Sequence, residues 1–274
     1  MTFTRLRAGV AGLALFSAAI AVAVAQDRPP FAVAYTTRAA LPPDAPQVPF
    51  GPGEKSTFEV RFGSVKVGSG SLQVTGVVNA RGREAYHTWF NVQGGTFFYR
   101  VNDVYESWID VRTMNSLVFN RQIEEGTRER MQSYEIMPEK GTYTERTRQK
   151  TIVKKTVENP LDEGAFLYFV RTIPLVVGQS YDFNRYFIPD RNPVRLRVLR
   201  KERVTVPAGT FNAIVVQPII RTRGIFSEKG QAEVWLSDDS ARILLQVKSK
   251  LSFGSLNLYL KSYTPPTDQR AALN

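Results

Sequence analysis

The sequence predicts an all-β domain with one short helix, in which an antiparallel meander curls into a barrel-like or partial-barrel sheet. Apolar residues recur at every second position along most of the chain, which is the period of a half-buried strand. Gly, Pro and Asn turn signals separate these runs about every ten residues. The 274 residues include no Cys, so apolar burial must stabilise the fold without disulfides. The pattern does not decide between a closed barrel and an open curled sheet.

The amino terminus has the order of a secretory signal peptide. Arg5 and Arg7 precede an uncharged apolar run over 8–24, and the small residues Ala23 and Ala25 suit a peptidase site. We expect cleavage after Ala25, with 1–25 as the signal, and a periplasmic or secreted product. A signal anchor is the alternative, because the run is near the lower limit for crossing a bilayer. No second stretch of this length follows, so no integral membrane span is expected after cleavage.

Pro-rich segments bound the predicted domain. Seven of the 16 prolines lie in 26–53, which predicts an extended linker. At the other end Pro265-Pro266 stops the last strand, and 263–274 is predicted to be a flexible tail. A single β domain is therefore expected over 54–262, a length at which one core can be buried.

Period-two alternation predicts the strands one by one. In the first, Phe58 and Val60 alternate with Glu59 and Arg61. A turn or strongly bent connection at 68–70 separates it from the next strand over 71–78. Further runs lie at 84–92, 97–109, 117–123, 128–136, 142–147, 149–157, 194–204, 211–221, 231–236, 242–250 and 255–260.

The segment 160–171 breaks the alternation. Asp162 can cap a helix there, and Arg171 suits the negative end of the helix dipole. The apolar stripe of this helix includes Phe166 and Phe169 at the spacing i, i+3. Because that stripe has to be buried, we predict that the helix plugs the concave face of the sheet.

Few residues suit catalysis or metal binding. His87 is the only His, which excludes a multi-histidine metal site, and no Gly-x-Ser-x-Gly motif supplies a serine nucleophile. We expect His87 to be an ordinary strand residue. The sequence also lacks Cys and both Gly-rich phosphate-binding motifs. We therefore predict no catalytic residue, no cofactor and no metal.

Acidic clusters leave one enzymatic alternative. Asp103, Glu106 and Asp110 could supply the carboxylate pair of a glycosidase-type hydrolase. Asp103 and Glu106 have opposite strand parity, however, so a shared catalytic face would need a bulge. The second cluster, Asp238-Asp239-Ser240, follows a predicted strand, where such residues make turn hydrogen bonds.

Charge and aromatic content indicate the class of partner. Removal of the signal leaves 34 Lys and Arg against 25 Asp and Glu, a net charge of +9. Outside the cytoplasm such a surface attracts anionic lipid head groups and envelope polymers, and nucleic acid is not expected. A merely solvated basic surface is the simpler alternative. The abundant aromatic residues would form core, or line an apolar groove if the sheet closes incompletely.

Four motifs follow one another in order: 99–103 with Glu106-Ser107, 160–175, 206–211 and 234–239. Together they resemble the family called domain of unknown function 3108. The resemblance implies a secreted or periplasmic, mostly β protein without an established reaction or catalytic residues. The chain departs from the family pattern in the helix segment, which has Gly164-Ala165-Phe166 where a small polar residue is expected before the aromatic residues. The motif positions that we single out as structural or ligand-lining are Tyr99, Asp103, Glu106, Arg171, Gly209, Trp235 and Asp238.

These observations favour a non-enzymatic envelope protein. We predict that its curved sheet binds an amphiphilic or anionic envelope component, such as a lipid or part of a lipoprotein. The alternative is a structural or protein-interaction module of the cell envelope, which needs no pocket. A hydrolase that uses the acidic clusters is the third hypothesis.

Overall fold

A computed structural model describes residues 35–96, 99–220, 232–251 and 254–267. The predicted signal peptide, the start of the predicted linker and the last residues of the predicted tail lie outside these ranges. Within them, fourteen strands form one antiparallel sheet. The strands are β1 Lys55–Phe62, β2 Val65–Ala80, β3 Arg83–Thr96, β4 Tyr99–Asp110, β5 Ser116–Glu125, β6 Arg128–Met137, β7 Thr142–Arg146, β8 Thr151–Lys155, β9 Ser180–Phe183, β10 Val194–Val206, β11 Gly209–Ile219, β12 Glu233–Ser237, β13 Leu244–Leu251 and β14 Gly254–Thr264.

The sheet is a meander that is curled but not closed. The strand order runs from β8 back to β1, then to β14, and from there back to β9. Each strand therefore pairs with its neighbours in sequence, except that β8 and β9 do not pair with each other and that the first strand pairs with the last. The predicted fold class is confirmed, and β8 and β9 are the outermost strands of the described sheet.

The predicted connection at 68–70 is wrong, because β2 runs through it without interruption. Gly68 instead permits a close approach between β2 and β3. A Cβ atom on Gly68 would lie 2.1 Å from the carbonyl oxygen of Gln93, and one on Gly94 would lie 2.4 Å from that of Val67. These glycines remove side chains where two backbones meet, which the sequence alone does not distinguish from a turn.

The predicted helix is confirmed. Within the described ranges it is the one α-helix, α1 Glu163–Phe169, and Asp162 caps it by accepting a hydrogen bond from the backbone N–H of Ala165 at 2.9 Å. Ala165, Phe166 and Tyr168 are buried in the main core, and α1 packs against β3 and β4. Within the described ranges, no helix has the length and apolar character needed to cross a membrane.

The described part of the predicted linker, 35–53, forms no helix or named strand but packs against the sheet. Trp108 donates its indole N–H to the carbonyl oxygen of Tyr35 at 2.9 Å. Phe50 is only 3% exposed, and its ring lies 5.4 Å from that of Tyr86 and 4.8 Å from that of Tyr168. The packed chain therefore begins before Glu54, because a few large side chains anchor a Pro-rich segment.

Candidate functional site

An apolar cavity lies between α1 and the half of the sheet that contains β2 and β10 to β13. It encloses about 30 Å³, which is room for about two water molecules. Ten of the eleven described residues that line it are apolar, including Leu72, Phe166, Val216 and Val234. The eleventh is Arg171. A pocket with this lining suits an apolar group.

Arg171 clamps three parts of the fold together at the wall of this cavity. Its side chain is 4% exposed, and its Nη2 donates to the Oε1 of Glu54 at 2.8 Å. The same nitrogen donates to the carbonyl oxygens of Pro49 at 2.7 Å and Ala241 at 2.9 Å. Its Nε has no hydrogen-bond partner among the described residues. Arg171 therefore does more than complement a helix dipole, and its main partner lies 117 residues away in sequence.

Asp162 fastens α1 to the sheet from the inside. Its Oδ1 accepts hydrogen bonds from the hydroxyl of Ser107 at 2.6 Å and from the N–H of Ala165. Its own N–H donates to the hydroxyl oxygen of Ser116 at 2.8 Å. Complete burial raises the pKa of Asp162 to about 6, against the hydrogen bonds from Ser107 and Ala165, which lower it. Its Oδ2 lacks a partner within the described part of the chain.

Gly164 is the point of closest packing between α1 and β4. A Cβ atom at this position would lie 2.4 Å from the Oγ of Ser107. We expect Gly164→Ala to destabilise the protein by about 1–2 kcal/mol, because the overpacking cost exceeds the gain in helix propensity. Chemical denaturation followed by circular dichroism measures the change.

The matched control for Gly164→Ala is Gly76→Ala in β2, where a Cβ would meet nothing within 4 Å. Ser107→Ala should recover part of the loss when it is combined with Gly164→Ala, since it removes the colliding atom. Equal stability losses at both glycines would contradict the packing explanation.

The acidic residues of the first cluster do not converge. By strand alternation Asp103 points to the concave face, whereas Glu106 and Asp110 point to the other face. The Oε1 of Glu106 lies 3.4 Å from the Nε2 of His87. Asp110 is buried and accepts a hydrogen bond from the Nε of Arg83 at 2.7 Å. The three carboxylates therefore do not lie on one face of the sheet.

His87 lies within β3, as predicted. Its Nδ1 is 2.7 Å from the hydroxyl oxygen of Thr75, and its ring centroid is 4.5 Å from that of Trp108. Nowhere in the described ranges do three or more His, Asp or Glu residues form a group that could hold a metal ion.

Two of the remaining family positions form backbone features. Tyr99 begins β4, where it pairs with Thr96 of β3. Gly209 has φ +135° and begins β11 directly after the two-residue turn 207–208. This dihedral favours Gly, so the position is set by turn geometry.

Trp235 and Asp238 link the end of β12 to β10, across the intervening strand β11. The indole N–H of Trp235 donates to the Oε1 of Glu202 in β10 at 2.6 Å. The Oδ2 of Asp238 lies 2.8 Å from the Nζ of Lys201. The Oδ1 of Asp239 accepts from the hydroxyl of Ser237 at 2.7 Å and from the N–H of Ala241 and Arg242 at 3.0 and 3.1 Å, so the predicted turn is present.

Of the seven family positions singled out from the sequence, Arg171 is the one that lines the cavity. Asp162, which the sequence indicated only as a helix cap, is completely buried where α1 meets the sheet. The role of Glu54 was not found from the sequence, because nothing local marks a Glu at the start of a strand as the partner of a distant Arg.

Comparison with known protein families confirms the resemblance that the four sequence motifs indicate. The family described as Protein of unknown function (DUF3108) matches residues 57–261. No curated protein matches the chain. The β-barrel-like protein of domain of unknown function DUF1849 from Brucella abortus has a similar structure, with a TM-score of 0.51 at 9% identity over 80% of this chain and 99% of that one.

Two more distant structures were also found. A protein taken to be a lipoprotein from Parabacteroides distasonis has a TM-score of 0.35 at 11% identity, over 79% of this chain and 98% of that one. A protein taken to be exported, with a YmcC-like fold, from Bacteroides fragilis has a TM-score of 0.29 at 9% identity, over 80% of this chain and 99% of that one. The TM-scores of these two structures are below 0.5, so only the similarity to the Brucella protein is informative, and it concerns the fold alone.

Proposed function

Since the chain belongs to the DUF3108 family of proteins of unknown function, we propose its function from the geometry of the concave face. We propose that it is a non-enzymatic envelope protein that binds an amphiphile. The observation that carries the proposal is the apolar cavity between α1 and the sheet. Its enclosed volume of about 30 Å³ suits the end of an apolar chain rather than a whole lipid. The rest of the ligand would extend toward solvent.

The one charged residue of the cavity supports this class of ligand. Glu54 already neutralises Arg171, and the Arg171 Nε is a donor that has no partner among the described residues. A second carboxylate would be repelled by Glu54, whereas the carbonyl oxygen of an ester or amide would satisfy the donor at no electrostatic cost. The proposed ligand is therefore an acyl chain joined through an ester or amide, as in a lipid or the acylated part of a lipoprotein.

Native mass spectrometry of the protein isolated from its own cells tests this proposal. We expect an additional mass that corresponds to an acylated compound. In the double variant Val216→Ile/Val234→Ile, two added methyl groups fill the cavity, and ligand occupancy should fall about tenfold, a change of about 1.4 kcal/mol. Val198→Ile is the matched control, since Val198 is buried in the same sheet but does not line the cavity. Isolation of the bare protein alone would count heavily against the proposal.

We also propose that the protein is exported from the cytoplasm. The apolar run after Arg5 and Arg7 supports secretion, with cleavage after Ala25. Amino-terminal sequencing of the protein from a periplasmic fraction should give Gln26 as the first residue. Recovery of the chain with its first 25 residues intact would contradict this part of the proposal.

A structural or protein-interaction role is the second candidate, and the open edges of the sheet favour it. β8 is an outermost strand of the described sheet, and Val153 at its centre is 65% exposed. Val176 and Val177, which precede the other outermost strand, are 49% and 46% exposed. An unpaired edge can accept a strand from another protein.

Site-specific crosslinking in cells tests the second candidate. A photoreactive amino acid at position 153 should capture a protein partner, whereas the same group at position 69 should not, because Ser69 is exposed in β2 but pairs there with both β1 and β3. Absence of any product specific to position 153 would remove the support for this role.

A further inference from the structure

A row of partly exposed side chains crosses the concave face next to α1. Phe90 of β3, Tyr105 of β4, Arg121 of β5 and Gln132 of β6 are direct cross-strand neighbours. The row lies two residues along each strand from a buried row that contains Phe119, a distance of about 7 Å. Its members are neither buried nor fully exposed. The row therefore forms an accessible floor with an aromatic half and a polar half.

Charged side chains cover the polar half of this row. The Nη1 of Arg121 lies 3.6 Å from the Oε1 of Glu163, at the start of α1. Tyr186 donates its hydroxyl to the same Oε1 at 2.5 Å and accepts a hydrogen bond from the Nη1 of Arg191 at 2.9 Å. The side chains of Arg121, Glu163 and Arg191 are 22%, 18% and 30% exposed. Two guanidinium groups face one carboxylate, which leaves one positive charge in excess.

The next charges along the network cancel. Arg121 also donates to the side-chain oxygen of Gln132, and Gln132 donates to the Oε1 of Glu145 at 3.3 Å. Lys154 in turn donates to the Oε2 of Glu145 at 2.9 Å. The group formed by Arg121, Glu163 and Arg191 therefore keeps a net charge of +1.

Two polar atoms of the Arg121–Glu163 pair have no hydrogen-bond partner within the described residues. They are the Nε of Arg121 and the Oε2 of Glu163, both shielded from solvent. An unmade hydrogen bond of a charged group that is shielded from solvent destabilises the protein. One atom is a donor and the other an acceptor, and a hydroxyl group can serve both, since it accepts and donates at the same oxygen.

We propose that this row binds an acidic saccharide. Because the side chains of Arg121 and Glu163 are 22% and 18% exposed, a rotation of either can present the shielded Nε and Oε2 to a sugar hydroxyl. The carboxylate of a uronic acid would neutralise the excess positive charge shared with Arg191. The partly exposed rings of Tyr105 and Phe90 offer a flat apolar surface to the C–H face of the sugar ring. This site does not depend on the apolar cavity, whose walls are formed by other strands.

Saturation-transfer difference NMR on the purified protein tests the proposal with three probes: glucuronate, glucose and acetate. We expect glucuronate to bind at least about tenfold more tightly than either of the others, because only glucuronate carries both the hydroxyls and the charge. Absence of glucuronate binding would overturn the proposal. Acetate binding as tight as that of glucuronate would show a simple anion site and would also overturn it.

Variants locate the site. Arg121→Gln should weaken glucuronate binding about tenfold or more, whereas Arg61→Gln, which removes a guanidinium paired with Glu59 outside the row, should leave it unchanged. Glu163→Gln should strengthen acetate binding and reduce the preference for glucuronate over acetate, since it raises the excess charge and removes an acceptor. Thermal unfolding verifies that each variant is folded.

Arg191→Gln provides a second measurement if Arg121→Gln does not fold. Arg191 is the more exposed guanidinium of the two, and its removal should weaken glucuronate binding by about threefold to tenfold while leaving glucose binding unchanged. Wild-type affinity for glucuronate in every folded variant of Arg121 and Arg191 would overturn the proposal.

Discussion

Arg171→Met is expected to lower the free energy of unfolding by about 3–5 kcal/mol, the largest effect that we expect from a single substitution in this protein. The substitution leaves the Glu54 carboxylate buried without its cation, and Glu54 is itself only 4% exposed. It also removes the hydrogen bonds to the carbonyl oxygens of Pro49 and Ala241. Urea unfolding monitored by tryptophan fluorescence measures the loss.

Two further variants separate the buried charge from simple loss of contacts. Arg171→Met combined with Glu54→Leu should recover much of the stability, because a buried ion pair replaced on both sides leaves no uncompensated charge. Arg195→Met is the matched control: Arg195 pairs with Asp182 in equally good geometry, but both side chains are 46% exposed, so the expected loss is below about 1 kcal/mol. A loss of similar size for Arg171→Met and Arg195→Met would show that burial does not govern the effect.

The parts of the fold that the sequence predicts are those set by local patterns. Alternation at Phe58 and Val60 of β1 places both side chains in the hydrophobic core, because residues at i and i+2 share one face of a strand. Asp162 predicts the start of α1, because a helix cap is satisfied by the backbone of the next turn. In both cases the residues that decide the structure lie within a few positions of one another.

The parts that the sequence does not predict depend on residues that are distant along the chain. The pairing of β1 with β14 makes the sheet a curled meander, and no local signal specifies it. The same holds for Arg171 with Glu54 and for the row that joins Tyr105, Arg121 and Gln132, since each requires the strand order. The sequence allowed a catalytic role for the motif residue Glu106, yet strand alternation directs its side chain away from Asp103 and from the concave face.

The contribution of Asp162 to stability is expected to decrease as the pH rises from about 4 to about 7. Burial raises the folded-state pKa of Asp162 from its ordinary value near 3.8 to about 6. The folded state therefore binds the proton more tightly than the unfolded state, so the contribution is complete below pH 3.8 and is lost as the pH rises through 6. A shift of about two pH units corresponds to about 3 kcal/mol.

The comparison with Asp162→Asn isolates this effect, because Asn keeps the capping oxygen and does not titrate. Carboxylates whose pKa is lowered by neighbouring cations, such as Glu202 beside Arg200, are present in both proteins and cancel in the difference. Relative to the variant, the wild type should lose about 2–2.5 kcal/mol of unfolding free energy between pH 4 and pH 7 in urea titrations, because part of the full effect falls outside this range. Asp182→Asn should show the opposite sign, since Arg195 lowers the pKa of the exposed Asp182. A difference between wild type and Asp162→Asn that stays constant across this range would mean that the Asp162 carboxyl is already ionised at pH 4, and that the contacts with Ser107 and Ala165 outweigh its burial.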